Sequence, residues 1–245
     1  GNYQSCITLA NEVLSQATLE TTYSSVFSNS LNTKELVFGR FFGVTEAEGT
    51  SIRISAFTEG RWGPSSKFLA LLGNDPRYST IIQEGLSIVW SNKTFSNLKS
   101  IKKYVNAANN MPIMYIRTAE IMLLKAEAIY RSNGTIADAW APVKALRQRA
   151  GAPVVDPLTR DELANAIFKE WIIEMSFENW HEWFACQRFG KLLELNAQLN
   201  TALNAEMAKS PEAGATYLQR ITDRRILAIP SSETNSNPVT QNPGY

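Results

Sequence analysis

Residues 112–131, with the sequence PIMYIRTAEIMLLKAEAIYR, make up the one stretch of this chain that is apolar on nearly all sides. At about 100° per residue, a helix over this stretch has apolar side chains along one stripe and again almost opposite it. The first stripe consists of Ala119, Leu123, Ala126 and Tyr130. Because such a helix must be covered on more than one face, we predict that residues 112–131 form the buried central helix of a helical protein.

Four of the five charged residues of this stretch lie on one narrow stripe of the predicted helix. They are Arg117, Glu120, Glu127 and Arg131, two of each sign. Opposite charges three or four positions apart on a helix attract each other. We therefore expect the stripe to be an internal ion-pair seam.

Three further carboxylates, Glu170, Glu174 and Glu178, are spaced four residues apart and would share one face of a second helix. Their Cβ atoms would be about 5 to 6 Å apart, so the charges would repel one another unless basic residues compensate them. The candidate partners are Arg117, Arg147 and Arg149. We expect ion pairs that hold the fold together, because structural networks perturb carboxylates as readily as active sites do.

A catalytic pair of carboxylates is the alternative interpretation of this face. Retaining glycosidases hold two carboxyl groups about 5 Å apart. Those groups flank the scissile bond from opposite sides of a cleft, whereas Glu170 and Glu174 would lie on one helix face. We therefore predict no catalytic residues. The predicted structural network consists of Arg117, Glu120, Glu127, Glu170, Glu174 and Glu178.

The charge and the scarcity of metal ligands exclude several function classes. The net charge of +1 on 245 residues gives no electrostatic footprint for nucleic acid or an anionic membrane. Every strongly apolar stretch is interrupted by charge well before the roughly 20 residues that span a bilayer. His181 is the only histidine, Cys6 and Cys186 are far apart, and no glycine-rich phosphate loop follows a predicted strand. We expect no metal and no cofactor, although carboxylates could still bind hard cations.

Helical patterns dominate the rest of the chain. We predict helices over residues 2–17, 135–149 and 159–185, and a weaker one over residues 191–209. Cys6 falls on the apolar side of the first helix. Pro142 should kink or delay the second helix. The tail, residues 230–245, is polar and rich in Asn and Pro, so we expect it to lie extended on the surface.

The start of the helix at residue 159 carries the clearest local signal. Thr159 and Glu162 are spaced as a capping box. Leu158 and Leu163 occupy the two positions of a hydrophobic staple around it. We therefore expect this helix to begin at a fixed residue.

A few strands interrupt the helical pattern. Alternating apolar residues predict a strand pair from residues 35–44 and 51–57. Between residues 60 and 110, Gly, Pro and Asn clusters predict long loops with short helices near residues 66–72 and 76–83 and a strand near residues 86–90. The fold class is therefore mainly α. It consists of tetratricopeptide-like helix pairs with a loop-rich excursion and a few short strands.

The loop-rich region carries scattered aromatic side chains that are not spaced for a core. Exposed rings form flat platforms for apolar ligand faces such as those of sugar rings, and nearby amides can orient the ligand. Packing beneath loops is the alternative role for the same rings. The candidate ligand-binding residues are Trp62, Tyr78, Trp90, Phe95 and Tyr104, with Asn92 and Asn97 as hydrogen-bonding neighbours.

Four segments in order resemble the SusD/RagB family, the nutrient-binding lipoproteins of the Bacteroidota outer membrane. They are IRTAEIMLLKAEAIY from residue 116, VKALRQRAG from residue 143, AIFKEWIIEMSFENWHEWFACQRFG from residue 166 and ILAIPSSETNSNPVTQNPGY from residue 226. The resemblance implies one SusD-like domain over residues 1–245, with a ligand face over about 42–110, a helical core over about 112–209 and the extended tail. It covers the later part of the family pattern. The family's N-terminal helical portion, signal peptide and lipidated cysteine are therefore expected to be absent from this chain.

The resemblance implies a binding protein without catalytic activity. It would capture glycan or another nutrient at the cell surface and deliver it to a SusC-like TonB-dependent transporter in the outer membrane. Membrane association would come only through the lipid anchor. Two other functions remain open: a helical glycoside hydrolase, and a tetratricopeptide-like scaffold that binds a protein in its groove.

Overall fold

The computed structural model describes residues 1–28, 33–40, 63–90, 92–104, 113–190, 229–237 and 239–241. The described helices are α1 (Tyr3–Leu14), α2 (Tyr23–Ser28), α3 (Ser66–Leu72), α4 (Tyr78–Ile81), α5 (Thr118–Arg131), α6 (Ile136–Arg149), α7 (Arg160–Glu174), α8 (His181–Arg188) and α9 (Ser231–Ser236). The described strands are β1 (Leu36–Arg40), β2 (Ile82–Trp90), β3 (Lys93–Ile101) and β4 (Ile113–Arg117). The chain divides into two compact units, Gly1–Asn179 and Trp180–Tyr245. The mainly helical fold class is confirmed.

Helix α5 is the buried centre of the first unit. It packs against α1, α6 and α7, and α7 also packs against α6. Leu123 and Ala126 of α5 are fully buried, as are Val143 of α6 and Ile167 of α7. The prediction of a central helix covered on several faces is therefore confirmed from Thr118 onward.

The first part of the predicted central helix is a strand instead. Residues 113–117 form β4, which pairs antiparallel with β1. Met114 and Arg117 are buried while Tyr115 is exposed, a spacing that a helix would also give, so the pairing with β1 and not the burial pattern identifies this segment as a strand. The predicted seam of charges on one helix is wrong for the same reason, since Arg117 belongs to β4 and not to α5.

Strand β1 is confirmed, but its observed partner differs from the predicted one. Residues 51–57, the predicted partner, lie outside the described residues. Leu36 of β1 is paired with Arg117, and Arg40 with Ile113. This two-stranded ribbon therefore joins a strand that ends at Arg40 to one that begins at Ile113, 113 − 40 = 73 positions later in the sequence.

The region between residues 60 and 110 contains a long β-hairpin. The strand predicted near residues 86–90 is confirmed as part of β2, whereas loops were predicted where β3 lies. Strands β2 and β3 are nine residues each and pair antiparallel from Ile82 and Ile101 to Trp90 and Lys93. The register shifts twice, near Gly85 and near Asn97, which have φ of 71° and 56°. Such bulges increase the local twist of a hairpin. Of the two short helices predicted here, α3 is confirmed, whereas α4 ends at Ile81 because the hairpin begins there.

Helices α6 and α7 start where their capping residues predict. The Thr135 side chain accepts a hydrogen bond from the Asp138 N–H, and Thr159 and Glu162 form the complete capping box. Helix α6 continues through Pro142 to Arg149, so the proline does not delay it. The predicted staple is wrong, because Leu158 is 83% exposed.

Helix α7 ends at Glu174, eleven residues before the predicted end at Ala185. Its final carbonyl groups are taken by basic side chains from other elements. Arg117 donates to the Glu174 carbonyl at 2.6 Å, and Lys103 donates to the Ser176 carbonyl at 2.8 Å. Unpaired carbonyls and the negative end of the helix dipole favour cations at this position. Phe177 and Asn179 then take a positive φ, which ends the helical path.

The second unit is described only in part. It contains α8, which begins at His181, and α9. The short helix α9 replaces part of the predicted extended tail, and its first residue follows Pro230. The predicted helix over residues 191–209 lies outside the described residues. No helix in the described part of the chain is long and apolar enough to cross a membrane.

The capping box of α7 gives a direct test of this account. Thr159→Ala should lower the free energy of unfolding by about 1 kcal/mol, because the Glu162 N–H loses its acceptor. Leu158→Ala should change it by less than about 0.5 kcal/mol, since that side chain is exposed. Urea denaturation of the two variants measures both values. A large loss for Leu158→Ala would show that the staple forms in solution.

Candidate functional site

Ten charged side chains of the first unit meet in one buried cluster, called here the charged cluster. The basic members are Arg77, Lys103, Arg117, Arg147 and Arg149, and the acidic members are Glu35, Asp75, Glu170, Glu174 and Glu178. The five positive and five negative charges balance. Buried charges are tolerated when they are paired and hydrogen-bonded. Each member of this cluster has an ion-pair partner of opposite charge, although Arg149 Nε and Nη1 form no hydrogen bond.

Arg117 lies at the centre of the charged cluster and is 1% exposed. Its Nη1 donates to Glu35 Oε2 at 2.9 Å and to Glu174 Oε1 at 2.7 Å. Its Nε donates to Glu178 Oε2 at 2.8 Å. One guanidinium group thereby joins β4 to the start of β1, to the end of α7 and to the turn after α7.

Arg77 forms the second centre of the cluster. Its Nε and Nη2 donate to the two carboxylate oxygens of Asp75, each at 2.9 Å. Its Nη1 donates to Glu174 Oε2 at 2.9 Å and also pairs with Glu170. Arg147 approaches Glu170 from α6 at 3.1 Å. The segment before α4 is therefore fixed to α7 by the planar guanidinium group of Arg77. A lysine could not form the same set of hydrogen bonds.

Lys103 follows β3 and completes the cluster next to Glu178. Its Nζ pairs with Glu178 and lies 4.6 Å from the centre of the Phe27 ring. Burial lowers the pKa of Lys103 to about 8, while Glu178 opposes that shift. The group is therefore mostly charged at neutral pH.

The arginines decide the protonation of the carboxylates that they contact. Burial alone would raise the pKa of Glu174, but Arg149, Arg117 and Arg77 lower it far below its usual value. Arg117 and Lys103 likewise lower the pKa of Glu178 against the effect of burial. Glu35 differs, because burial outweighs its two arginine partners and raises its pKa. Glu174 and Glu178 are thus held as carboxylates, which accept hydrogen bonds and cannot act as general acids.

The predicted network and the charged cluster overlap only in part. The structure brings Arg117, Glu170, Glu174 and Glu178 together, although Glu178 lies in the turn after α7 and not on the predicted helix face. Glu127 instead pairs with Arg131 inside α5 at 2.9 Å. Glu120 lies on α5 and is half-buried.

Sequence reasoning missed four members of the charged cluster. They are Glu35, Asp75, Arg77 and Lys103. Each lies in a short turn or at the end of a strand, where no helical period places it beside the glutamates. No sequence signal pointed to them, because the three predicted arginine partners already balanced the charges of the three glutamates.

The predicted ligand-binding residues are distributed between surface and core. Phe95 on β3 is 44% exposed. Tyr78 is half-buried, and its hydroxyl accepts a hydrogen bond from Lys99 at 2.6 Å. Asn92 and Asn97 are exposed and adopt positive φ, so they serve the turn and a bulge of the hairpin. Trp62 and the side chain of Trp90 lie outside the described residues.

Tyr104 is not an exposed platform. It is 6% exposed, and its ring packs edge-on against Phe27 with 6.0 Å between centroids. Its hydroxyl donates to the Phe177 carbonyl at 3.0 Å. The prediction failed because a tyrosine close to a loop can bury its ring while its hydroxyl forms a hydrogen bond with a backbone carbonyl.

A groove of about 770 Å³ runs between α1, α5 and α6. Its lining is mainly apolar and includes Ile7, Leu14, Met122 and Ala145, with Lys125 and Asp138 as charged members. The described residues contain no group of three His, Cys, Asp or Glu side chains that could hold a metal ion. The described part of the chain thus offers a buried cluster, an exposed hairpin and an apolar groove.

The family follows from a match to the SusD family model over residues 45–245. This chain belongs to the SusD family. A curated relative, SusD-like protein P2 of Formosa agariphila, is 31% identical over 150 residues, which are 57% of this chain and 26% of the relative. The chain therefore spans about a quarter of that relative's length.

Solved structures of the SusD superfamily share the fold. A SusD superfamily protein from Bacteroides vulgatus is 17% identical with a TM-score of 0.75, covering 100% of this chain and 59% of that protein. A laminarin-binding SusD-like protein is 22% identical with a TM-score of 0.61, and the match covers 94% of this chain and 54% of that protein. Surface glycan-binding protein A from Bacteroides uniformis is 16% identical with a TM-score of 0.61, and the match covers 98% of this chain and 56% of that protein. The predicted tetratricopeptide-like helical fold is confirmed.

Removal of Arg117 should be far more damaging than removal of a partly exposed arginine. Arg117→Met leaves Glu35, Glu174 and Glu178 with fewer counter-charges, and should lower the free energy of unfolding by about 3 to 5 kcal/mol. Arg131→Met breaks the partly exposed pair with Glu127 at the end of α5 and should cost less than about 1 kcal/mol. Urea denaturation compares the two variants.

Arg117→Lys provides a milder variant should Arg117→Met not fold. It keeps the charge but loses the planar fork, so its stability should lie between those of the wild type and Arg117→Met. If Arg117→Lys and Arg131→Met lowered the free energy of unfolding equally, this result would contradict the central position of Arg117 in the cluster.

The charged cluster also predicts the acid behaviour of the protein. Because the pKa of Glu174 and that of Glu178 are lowered on folding, their contribution to stability is present above the unfolded value near 4.5 and is lost as pH falls below it. Glu35 partly offsets this effect, since its pKa is raised. Chemical denaturation should show a steep fall in stability below about pH 4.5. Arg131→Met should keep the same acid profile, and a wild-type profile that stays flat to pH 3 would refute the assignment.

Proposed function

We propose that this chain binds glycan at the bacterial cell surface, without chemically converting it, and delivers the glycan to a SusC-like TonB-dependent transporter of the outer membrane. The observation that carries the proposal is the SusD family match over residues 45–245. Two of the structural relatives are named for laminarin binding and for surface glycan binding. The similarity to these structures is one of fold, so their ligands are candidates for testing.

The described geometry supports a role in binding over one in catalysis. Glu170 and Glu174 are fully buried and engaged by arginines, so a substrate could not reach them without disrupting the charged cluster. A glycoside hydrolase would need an accessible carboxyl group that can give up a proton. Glu170 and Glu174 are buried, so neither offers an accessible carboxyl group.

The β2–β3 hairpin is the proposed ligand surface. Phe95 presents an aromatic side chain to solvent, and Asn92 and Asn97 are exposed on the same hairpin. Trp62, Trp90 and Tyr78 remain proposed contributors. An apolar ring face with amides nearby suits a ligand that has both C–H faces and hydroxyl groups.

The family also suggests where this protein acts. We place it at the outer membrane as a surface-exposed lipoprotein held by a lipid anchor, with residues 1–245 as part of a single SusD-like domain. It would act together with the transporter at the point where the glycan enters the cell. This placement and the transporter partner rest on membership of the family.

A protein-binding scaffold is the second candidate function. The groove between α1, α5 and α6 is largely apolar and has the size of a small-molecule or helix-binding cleft. In that case the partner protein would bind in the groove and not on the hairpin. Met122→Glu would then abolish capture of the partner while Phe95→Ala would have no effect.

Titration of glycans by isothermal calorimetry tests the main proposal. The panel comprises laminarin, amylopectin, xylan and galactomannan, and each mixture is analysed afterwards for hydrolysis products. We expect saturable binding of at least one glycan without products, and a loss of about tenfold, or 1.4 kcal/mol, for Phe95→Ala. Val155→Ala removes another exposed apolar side chain, outside the hairpin, and should bind like the wild type.

Other outcomes would redirect the assignment. Hydrolysis products would support the hydrolase and require a search for accessible carboxyl groups. Absence of binding to every glycan would refute glycan capture by this chain. Binding that Phe95→Ala does not weaken would keep the function and move the site away from the hairpin.

A further inference from the structure

The ribbon formed by β1 and β4 presents two aromatic rings to solvent side by side. Phe38 is 60% exposed and Tyr115 is 42% exposed. Their ring centroids are 5.6 Å apart and the ring planes are inclined by 31°. We call this pair the aromatic platform.

The exposure of this pair is unusual for a structural contact. Single exposed apolar residues are common on protein surfaces. Here, however, two aromatic rings lie together in water, and Val37 next to them is exposed as well. Burying an aromatic side chain contributes more to stability than a cross-strand contact between two such rings. The fold thus leaves a large part of the apolar surface of this pair available to something else.

The aromatic platform is held rigidly from below. The Asn179 amide donates to the Met114 carbonyl at 2.8 Å and to the Tyr115 carbonyl at 3.1 Å. Arg117, two residues after Tyr115, is fixed in the charged cluster. The Thr118 N–H donates to the Glu35 carbonyl at 2.8 Å, which joins the ends of the two strands. A preorganised surface loses little conformational entropy when a ligand binds.

We propose that the aromatic platform is a second glycan subsite, on which the apolar face of a pyranose ring stacks against Phe38 and Tyr115. The proposal rests on the proposed function and extends it to a surface distinct from the β2–β3 hairpin. A pyranose presents a C–H face of about the width of an aromatic ring and hydroxyl groups at its rim. The exposed parts of the two rings provide an apolar surface for that face, and the Tyr115 hydroxyl supplies a hydrogen-bonding group beside it.

The size of the aromatic platform favours a sugar over a folded protein as its occupant. A stable protein interface buries about 800 Å² on each partner and involves some 20 to 30 residues. Two rings and one valine cover only a small part of that area. They match the size of one or two sugar residues, as in a subsite of a glycan-binding surface.

Calorimetric titration of the whole chain with laminarin and with amylopectin tests the platform. Phe38→Ala and Tyr115→Ala should each weaken binding at least fivefold. Leu158→Ala, which removes a more exposed apolar side chain between α6 and α7, should leave the affinity unchanged. Thermal denaturation of every variant shows whether the ribbon remains folded.

Two further variants separate stacking from support of the ribbon. Phe38→Leu keeps an apolar contact with the strand but removes the flat ring, whereas Phe38→Trp keeps a flat ring. Stacking predicts weak binding by Phe38→Leu and restored binding by Phe38→Trp at equal thermal stability. If affinity follows thermal stability instead, the platform has only a structural role and the proposal is wrong.

The failures of the two proposals give different results. If the wild type binds a glycan and the Phe38 and Tyr115 variants bind it equally well, the platform is refuted while glycan binding stands. If the wild type binds neither laminarin nor amylopectin nor any other glycan of the panel, both proposals fall together.

Discussion

The guanidinium group of Arg117 connects the parts of the first unit that carry its surface features. It is buried, and it contacts carboxylates from the start of β1, the end of α7 and the turn that follows α7. Removing such a charge from water is costly, and the cost is offset only when each partner is in place. The ion pairs of Arg117 therefore fix both the geometry of the β1–β4 ribbon and the position at which α7 ends.

The charged cluster also explains how a helical core can support an exposed, strand-based surface. Lys103 fixes the end of the hairpin to the turn after α7, and Arg77 fixes the start of α4 just before the hairpin begins. Both ends of the β2–β3 hairpin are thus tied to the same helix. The hairpin can extend into solvent with few apolar contacts of its own, because its base is held by charge-assisted hydrogen bonds.

Local sequence signals predicted where helices start. The end of α7 and the positions of the strands depend on tertiary contacts, which the local sequence does not show. Thr135 and Thr159 mark α6 and α7 because a cap needs only neighbouring residues. The end of α7 depends on Lys103 and Arg117, which are more than 50 residues away. The change from β4 to α5 was hidden because residues on both sides of Arg117 are apolar. Strand β3 and the first part of β2 were missed because most residues of the hairpin are exposed and show weak alternation.

The equal number of positive and negative charges in the charged cluster has a consequence for sequence change. A substitution that removes one member leaves its partner charged and without compensation in a buried site. Two substitutions made together, one of each sign, would restore the balance. We therefore expect positions such as Arg77 and Asp75, or Lys103 and Glu178, to vary as pairs among relatives. Such joint variation would reveal these contacts in an alignment even where the surrounding sequence has diverged.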